Sequence, residues 1–97
     1  MAAVKIRWTK LAVRDLNHAY DYIAANNPEA ARATIVKISS ALEALKAHPL
    51  IGRKGRVQGT RELIIPATPF IVAYRMVKAR VEILGIIHGA RRWPETL

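Results

Sequence analysis

The chain of 97 residues contains no cysteine, which excludes disulfides, thiolate catalysis and cysteine-rich zinc sites. Acidic residues are few, 7 against 16 lysines and arginines, and they are too dispersed along the chain to assemble a metal site. No apolar run approaches the roughly 18 residues of a membrane span. The first residues, Met1-Ala2-Ala3-Val4-Lys5, form no apolar segment of signal-peptide length. The expectation is therefore a cytoplasmic protein without a membrane partner. Walker loop, HExxH, paired-carboxylate and helix-turn-helix patterns are all missing. Neither tryptophan is interleaved with basic residues in the manner of an RNA-recognition strand.

What is present is apolar content and positive charge. A hydrophobic fraction of 52% fits a folded globular chain, and the length fits one domain over residues 1–97. The formal net charge is +9. From Lys46 onward there are 10 basic and 3 acidic residues, whereas the first 45 residues hold 6 and 4. Such asymmetry points to a polyanionic or acidic partner, although scattered, solvated charge is the simpler alternative.

The patterning predicts a short strand over Val4–Trp8, where apolar and basic residues alternate. Thr9 then offers a helix cap, and Ala12, Leu16, Ala19 and Ile23 recur at helical spacing, which predicts a helix over 10–25. Asn26-Asn27-Pro28 ends it. Asn27 caps a second helix over 28–47, with Pro28 at its first position. Its apolar seam is Ala31, Ile35, Ile38, Leu42 and Leu45. Residues 50–59 contain three glycines and three basic residues, and read as a basic loop. Strands are predicted over 61–65, from Phe70 to Val77 and from Val81 to His88, with the last one central because both its faces are apolar. The predicted order is β-α-α-β-β-β, an α+β fold.

Several residues carry possible chemistry. His88, at the end of the last strand, has the titration range of a general acid or base, or it serves as a structural hydrogen-bonding group. Arg61, Arg75 and Arg91 stand at strand starts or ends, where guanidiniums converging on one face would stabilise a phosphate. Alternatively Arg75 bridges to Glu62 or Glu82 across a hairpin. Arg53, Lys54 and Arg56 on a glycine-flanked loop suit backbone phosphate contacts, or are simply solvated. Trp8 and Trp93 either stack on a base or close the core.

The segments Gly59-Thr60-Arg61-Glu62-Leu63, Phe70-Ile71-Val72-Ala73-Tyr74-Arg75 and Ile87-His88-Gly89-Ala90-Arg91 resemble the RelE/ParE toxins of type II toxin–antitoxin modules. So do Trp8, Arg14-Asp15-Leu16, Asn27-Pro28-Glu29 and Gly52-Arg53, and the likeness runs over about residues 4–94. The resemblance implies a helical hairpin packed on a mainly antiparallel four-stranded sheet. It also implies an acidic cognate antitoxin that folds as it binds, and no cofactor or metal. RelE-like members cut messenger RNA on the ribosome, whereas ParE-like members poison DNA gyrase. No tyrosine follows His88, and the tail Arg91-Arg92-Trp93 is closer to the ParE type. The resemblance thus implies a gyrase poison, with Arg53, Lys54, Arg56, Arg61, Arg75, Arg91, Arg92 and Trp93 as contact residues. Its alternative is a metal-free messenger RNA nuclease, with His88 as the base, Arg61 and Arg91 as clamps and Lys54 as a supporting charge.

Overall fold

Two polar side chains decide where the helices begin. In the computed structural model, which describes residues 4–90, the Thr9 hydroxyl accepts the Ala12 N–H at 3.2 Å. The Asn27 side chain accepts the Ala30 N–H at 3.1 Å. Each satisfies a donor that a helix start would otherwise leave orphaned. The helices that follow are α1 (Lys10–Ala24) and α2 (Pro28–Ala47), close to the expected spans. Thr9 also donates its hydroxyl to the Ile83 carbonyl at 2.8 Å, which ties the start of α1 to the sheet.

The strands are β1 (Lys5–Trp8), β2 (Arg53–Lys54), β3 (Arg61–Ile64), β4 (Phe70–Val77) and β5 (Arg80–His88). They form one sheet in the order β1-β5-β4-β3-β2. β1 runs parallel to β5, and the helical hairpin supplies the crossover that a parallel pair requires. The other pairs are antiparallel. The sheet thus has five strands, where the sequence pattern predicts four. The extra strand, β2, lies inside the expected basic loop and consists of two charged residues, too few to show any alternation. Such a short, charged strand also blunts the sheet edge against further pairing. β5 is interior, between β1 and β4, while β4 is the middle strand.

Both helices cover one face of the sheet. Ala12, Ile38, Leu42 and Leu45 pack there against Val72, Tyr74, Val81, Ile83 and Ile86. Ile6, Trp8, Leu16 and Ile23 close the margins, so Trp8 serves the core. Burial of each large aliphatic side chain here is worth about 1.5–3 kcal/mol. A second small cluster, Ala73, Leu84 and Ile87, contains no helical residue and lies on the other face.

A bulge explains why β5 departs from strict alternation. Tyr74 pairs with Ile83 but Ala73 pairs with Gly85, so Leu84 is an extra residue on β5. Val81, Ile83 and Ile86 therefore share the helix side, where simple alternation would have sent Ile86 to the opposite face. The Ile86 N–H at the bulge is accepted by Asp15 Oδ2 from α1 at 3.2 Å. A Cβ on Gly85 would stand only 3.1 Å from that oxygen, so the glycine leaves room for the contact.

Candidate functional site

The basic segment between α2 and β3 is a built turn rather than a solvated loop. The Tyr74 side chain is fully buried, and its hydroxyl donates to the Pro49 carbonyl at 2.8 Å while accepting the Gly52 N–H at 2.9 Å. Burial pushes this phenol above its ordinary value, against weaker opposing effects from the Gly52 hydrogen bond and the Arg61 charge. A Cβ on Gly52 would lie 2.6 Å from the Tyr74 ring, so only glycine fits. Arg61 Nη1 donates to the carbonyls of Leu50 and Gly52, at 3.2 and 2.8 Å. Glu62 completes the structure from the far side. Its side chain is 2% exposed, and Oε1 accepts both Nε and Nη2 of Arg53 at 3.1 and 2.9 Å. Its Oε2 accepts the Arg56 N–H at 2.8 Å. Arg53, Lys54 and Arg56 are thereby presented on a preorganised frame.

A second arginine cluster crosses β1, β5 and β4 on the helix-free face. Glu82, whose side chain is 9% exposed, accepts Arg75 Nε at 2.9 Å and Arg7 Nη1 at 3.5 Å. Both arginines are anchored by one edge and remain more than half exposed, at 52% and 62%. Arg7 and the two anchoring glutamates were not singled out as site residues from the sequence. The available signal was the alternation of Lys5 and Arg7 with apolar neighbours in β1. For Arg75, bridging to Glu82 is the observed alternative.

Of the arginines proposed to converge, the two that are described, Arg61 and Arg75, do not share a face. Arg61 pairs with Tyr74 and shares the helix side with it, whereas Arg75, one residue on from Tyr74, projects from the opposite face with Glu82. His88 is far from both. It pairs with Phe70, four residues from Tyr74 along β4, or about 13 Å at strand rise. It is also one strand further across the sheet than Arg61's neighbour. The His88 ring meets the Phe70 edge at 5.7 Å, and its Nδ1 accepts the Ala90 N–H at 3.1 Å. An accepting Nδ1 places the proton of the neutral ring on Nε2. His88 lines a cleft of about 500 Å³ with Asp15, His18, Tyr22, Thr68 and Phe70, and no arginine or lysine is among its described lining residues. Arg91, Arg92 and Trp93 lie outside the described residues.

Residues 6–93 match the model of the ParE toxin of the type II toxin–antitoxin system parDE. The chain is 39% identical over 97 residues to Y4kP of Sinorhizobium fredii, with both proteins covered in full. It is 31% identical over 87 residues to Toxin RelE2 of Caulobacter vibrioides, covering 90% of this chain and 97% of the relative. A chain from the chromosomal ParDE system of P. aeruginosa superposes with a TM-score of 0.79 at 28% identity, covering 89% of this chain and 96% of that one. The toxin–antitoxin complex RelBE2 from Mycobacterium tuberculosis shares the fold, with a TM-score of 0.59 at 24% identity over 89% of this chain and 98% of that one. With two helices packed on a five-stranded, mostly antiparallel sheet and a family match over nearly its whole length, the chain belongs to the ParE toxin family of type II toxin–antitoxin systems.

Proposed function

We propose that this toxin arrests growth by poisoning DNA gyrase, and that a cognate acidic antitoxin neutralises it within a plasmid-stabilisation module. Its place of action would be the cytoplasm. One observation supports the choice of mechanism: among the described residues, the candidate base His88 and the candidate phosphate clamp Arg61 are kept apart. His88 sits in a cleft with no lysine or arginine among its described lining residues, and its Nδ1 is engaged by the backbone. Arg61 is committed to two carbonyls of the basic turn. General base catalysis needs the base within hydrogen-bond reach of the proton it takes, and cations beside the developing charge. A gyrase poison needs only a rigid contact surface, and the frames around Glu62 and Glu82 fit that need.

The antitoxin reading draws on the solved ParDE and RelBE2 systems that this chain resembles, and on the charge of +9. The deciding experiment adds the purified toxin to gyrase and plasmid DNA. Inhibited supercoiling or trapped cleavage is expected, and gyrase activity unchanged at excess toxin would overturn the reading. The 31% identity to Toxin RelE2 keeps a ribosome-dependent messenger RNA nuclease as the second reading. Primer extension on messenger RNA after induction separates the two, because only the nuclease leaves codon-phased cuts.

A further inference from the structure

We propose that the helix-free face of the sheet, toward its β4–β5 hairpin end, docks the phosphodiester backbone of duplex DNA. This goes beyond the gyrase reading, since a gyrase poison can act through protein contacts alone.

The strand register brings the cations together. Lys5 pairs with Arg80, and Arg7 pairs with Glu82, which in turn pairs with Arg75. Lys5 and Arg80 each stand two residues before Arg7 and Glu82, so all share one face. Arg53 joins the same face through Glu62, which pairs with Ala73, two residues before Arg75. Five cations therefore stand over two carboxylates, and both carboxylates are sunk into the sheet. Lys5, Arg7, Arg53, Arg75 and Arg80 are all exposed. Strand geometry puts the backbones of paired Lys5 and Arg80 about 5 Å apart and those of Arg7 and Arg75, two strands apart, about 10 Å apart. Arg7, Arg53 and Arg75 are held on Glu82 and Glu62, so little rotamer freedom is lost on contact with an anion. Lys5, Lys78 and Arg80 also line a shallow concavity of about 470 Å³ at the hairpin end.

What this face lacks selects the partner. A protein partner would need an apolar centre for its anchors. The exposed large apolar side chain on the strands of this face is Ile64, which pairs with Ile71 and lies four residues from the Arg75 row. Single-stranded nucleic acid would need aromatic platforms for its unstacked bases. Trp8, Phe70 and Tyr74 belong to the helix-side core, and Tyr20 and Tyr22 are on α1, so no described aromatic is on this face. A cationic, rigid surface without a described aromatic suits a duplex, whose phosphates are outside and whose bases stay stacked.

The test is fluorescence anisotropy of a labelled duplex with the purified full chain, titrated over a range of salt. The logarithm of affinity should fall with the logarithm of salt with a slope near −3 or steeper, since each phosphate contact contributes about 0.9. The double variant Lys5→Gln/Arg80→Gln leaves both buried carboxylates paired. It should weaken binding about tenfold at low salt and flatten the slope by about 1.8. Lys10→Gln/Arg32→Gln removes the same charge from the helices and should change affinity less than about twofold. Arg75→Gln should flatten the slope by about 0.9, with folding checked by its thermal melt. Equal losses in the two double variants would overturn the proposal, as would tighter binding to single-stranded RNA or preferential displacement by poly-glutamate. Gyrase inhibition is scored separately. Duplex binding through this face without gyrase inhibition would sink the proposed function alone, and inhibition without such binding would sink this inference alone.

Discussion

The two faces of the sheet solve opposite problems with the same strands. The helix-covered face buries Val72, Tyr74, Val81 and Ile83 completely, and the buried Tyr74 hydroxyl has both a donor and an acceptor partner. The helix-free face carries arginines at neighbouring positions of the same strands, and spends its buried carboxylates on aiming them. The contrast teaches that core packing and surface charge are divided by strand parity. Residues one step apart, such as Tyr74 and Arg75, belong to different tasks.

The strongest way to sharpen this division is to attack the covered face. Ile83→Ala should cost about 2–5 kcal/mol, since a cavity opens in a filled core. Urea denaturation reads it as a lower midpoint with an unchanged slope, and an effect below about 1 kcal/mol would mean the helix side is looser than described.

Next in size is Glu62→Ala, which strips both Arg53 and the Arg56 N–H of their acceptor. A cost of about 1–3 kcal/mol is expected, because the part-buried Arg56 N–H and the Arg53 guanidinium lose a charged acceptor. Gyrase inhibition should fall out of proportion to the stability change, because the frame of the basic turn is gone. Full inhibition by a folded Glu62→Ala protein would break the claim that this face needs aimed arginines.

Tyr74→Phe should cost about 1 kcal/mol, the usual net worth of a hydrogen bond. It also carries a pH signature. Burial raises the phenol's folded value above its ordinary 10.0, so the folded state holds its proton more tightly than the unfolded chain. The associated stability is complete below pH 10 and declines as pH rises through the raised folded value. Thermal melts at alkaline pH should therefore fall more steeply for the parent than for Tyr74→Phe, and parallel curves would contradict the burial.

The smallest effect concerns the turns. Ala67 and Lys78 hold φ of 60° and 56°, the left-handed region that disfavours side chains. Ala67→Gly should raise stability by about 0.5–1 kcal/mol, the relieved strain exceeding the extra chain entropy. A lower melting temperature would show that the methyl group packs usefully against the cleft it lines.

Helices were the most legible part of the chain. Thr9, Asn27 and Pro28 act on neighbours within a turn, and the seam from Ala31 to Leu45 repeats at helical spacing, so local information sufficed. β4 and most of β5 were legible for a similar reason, through their apolar alternation, and β3 as a short run ended by Pro66. β2 was not, because its pairing comes from Glu62 and Arg61, eight or so residues away, and not from any pattern of its own. The bulge at Leu84 was likewise silent, since an extra residue in one strand exists only relative to its partner.

Of the candidate site, the sequence supplied the inventory: the basic residues, their concentration after Lys46 and their place on strands. It could not say which of them meet. Arg61 and Arg75 look equivalent in a list of strand-end arginines, yet one props the basic turn and the other faces outward over Glu82. Composition and local periodicity alone determined the class, the helices and the excess positive charge, because these depend on residues near one another along the chain. Register, strand parity and the pairing of each buried carboxylate were decided only in the folded sheet, because they depend on which distant strand lies alongside.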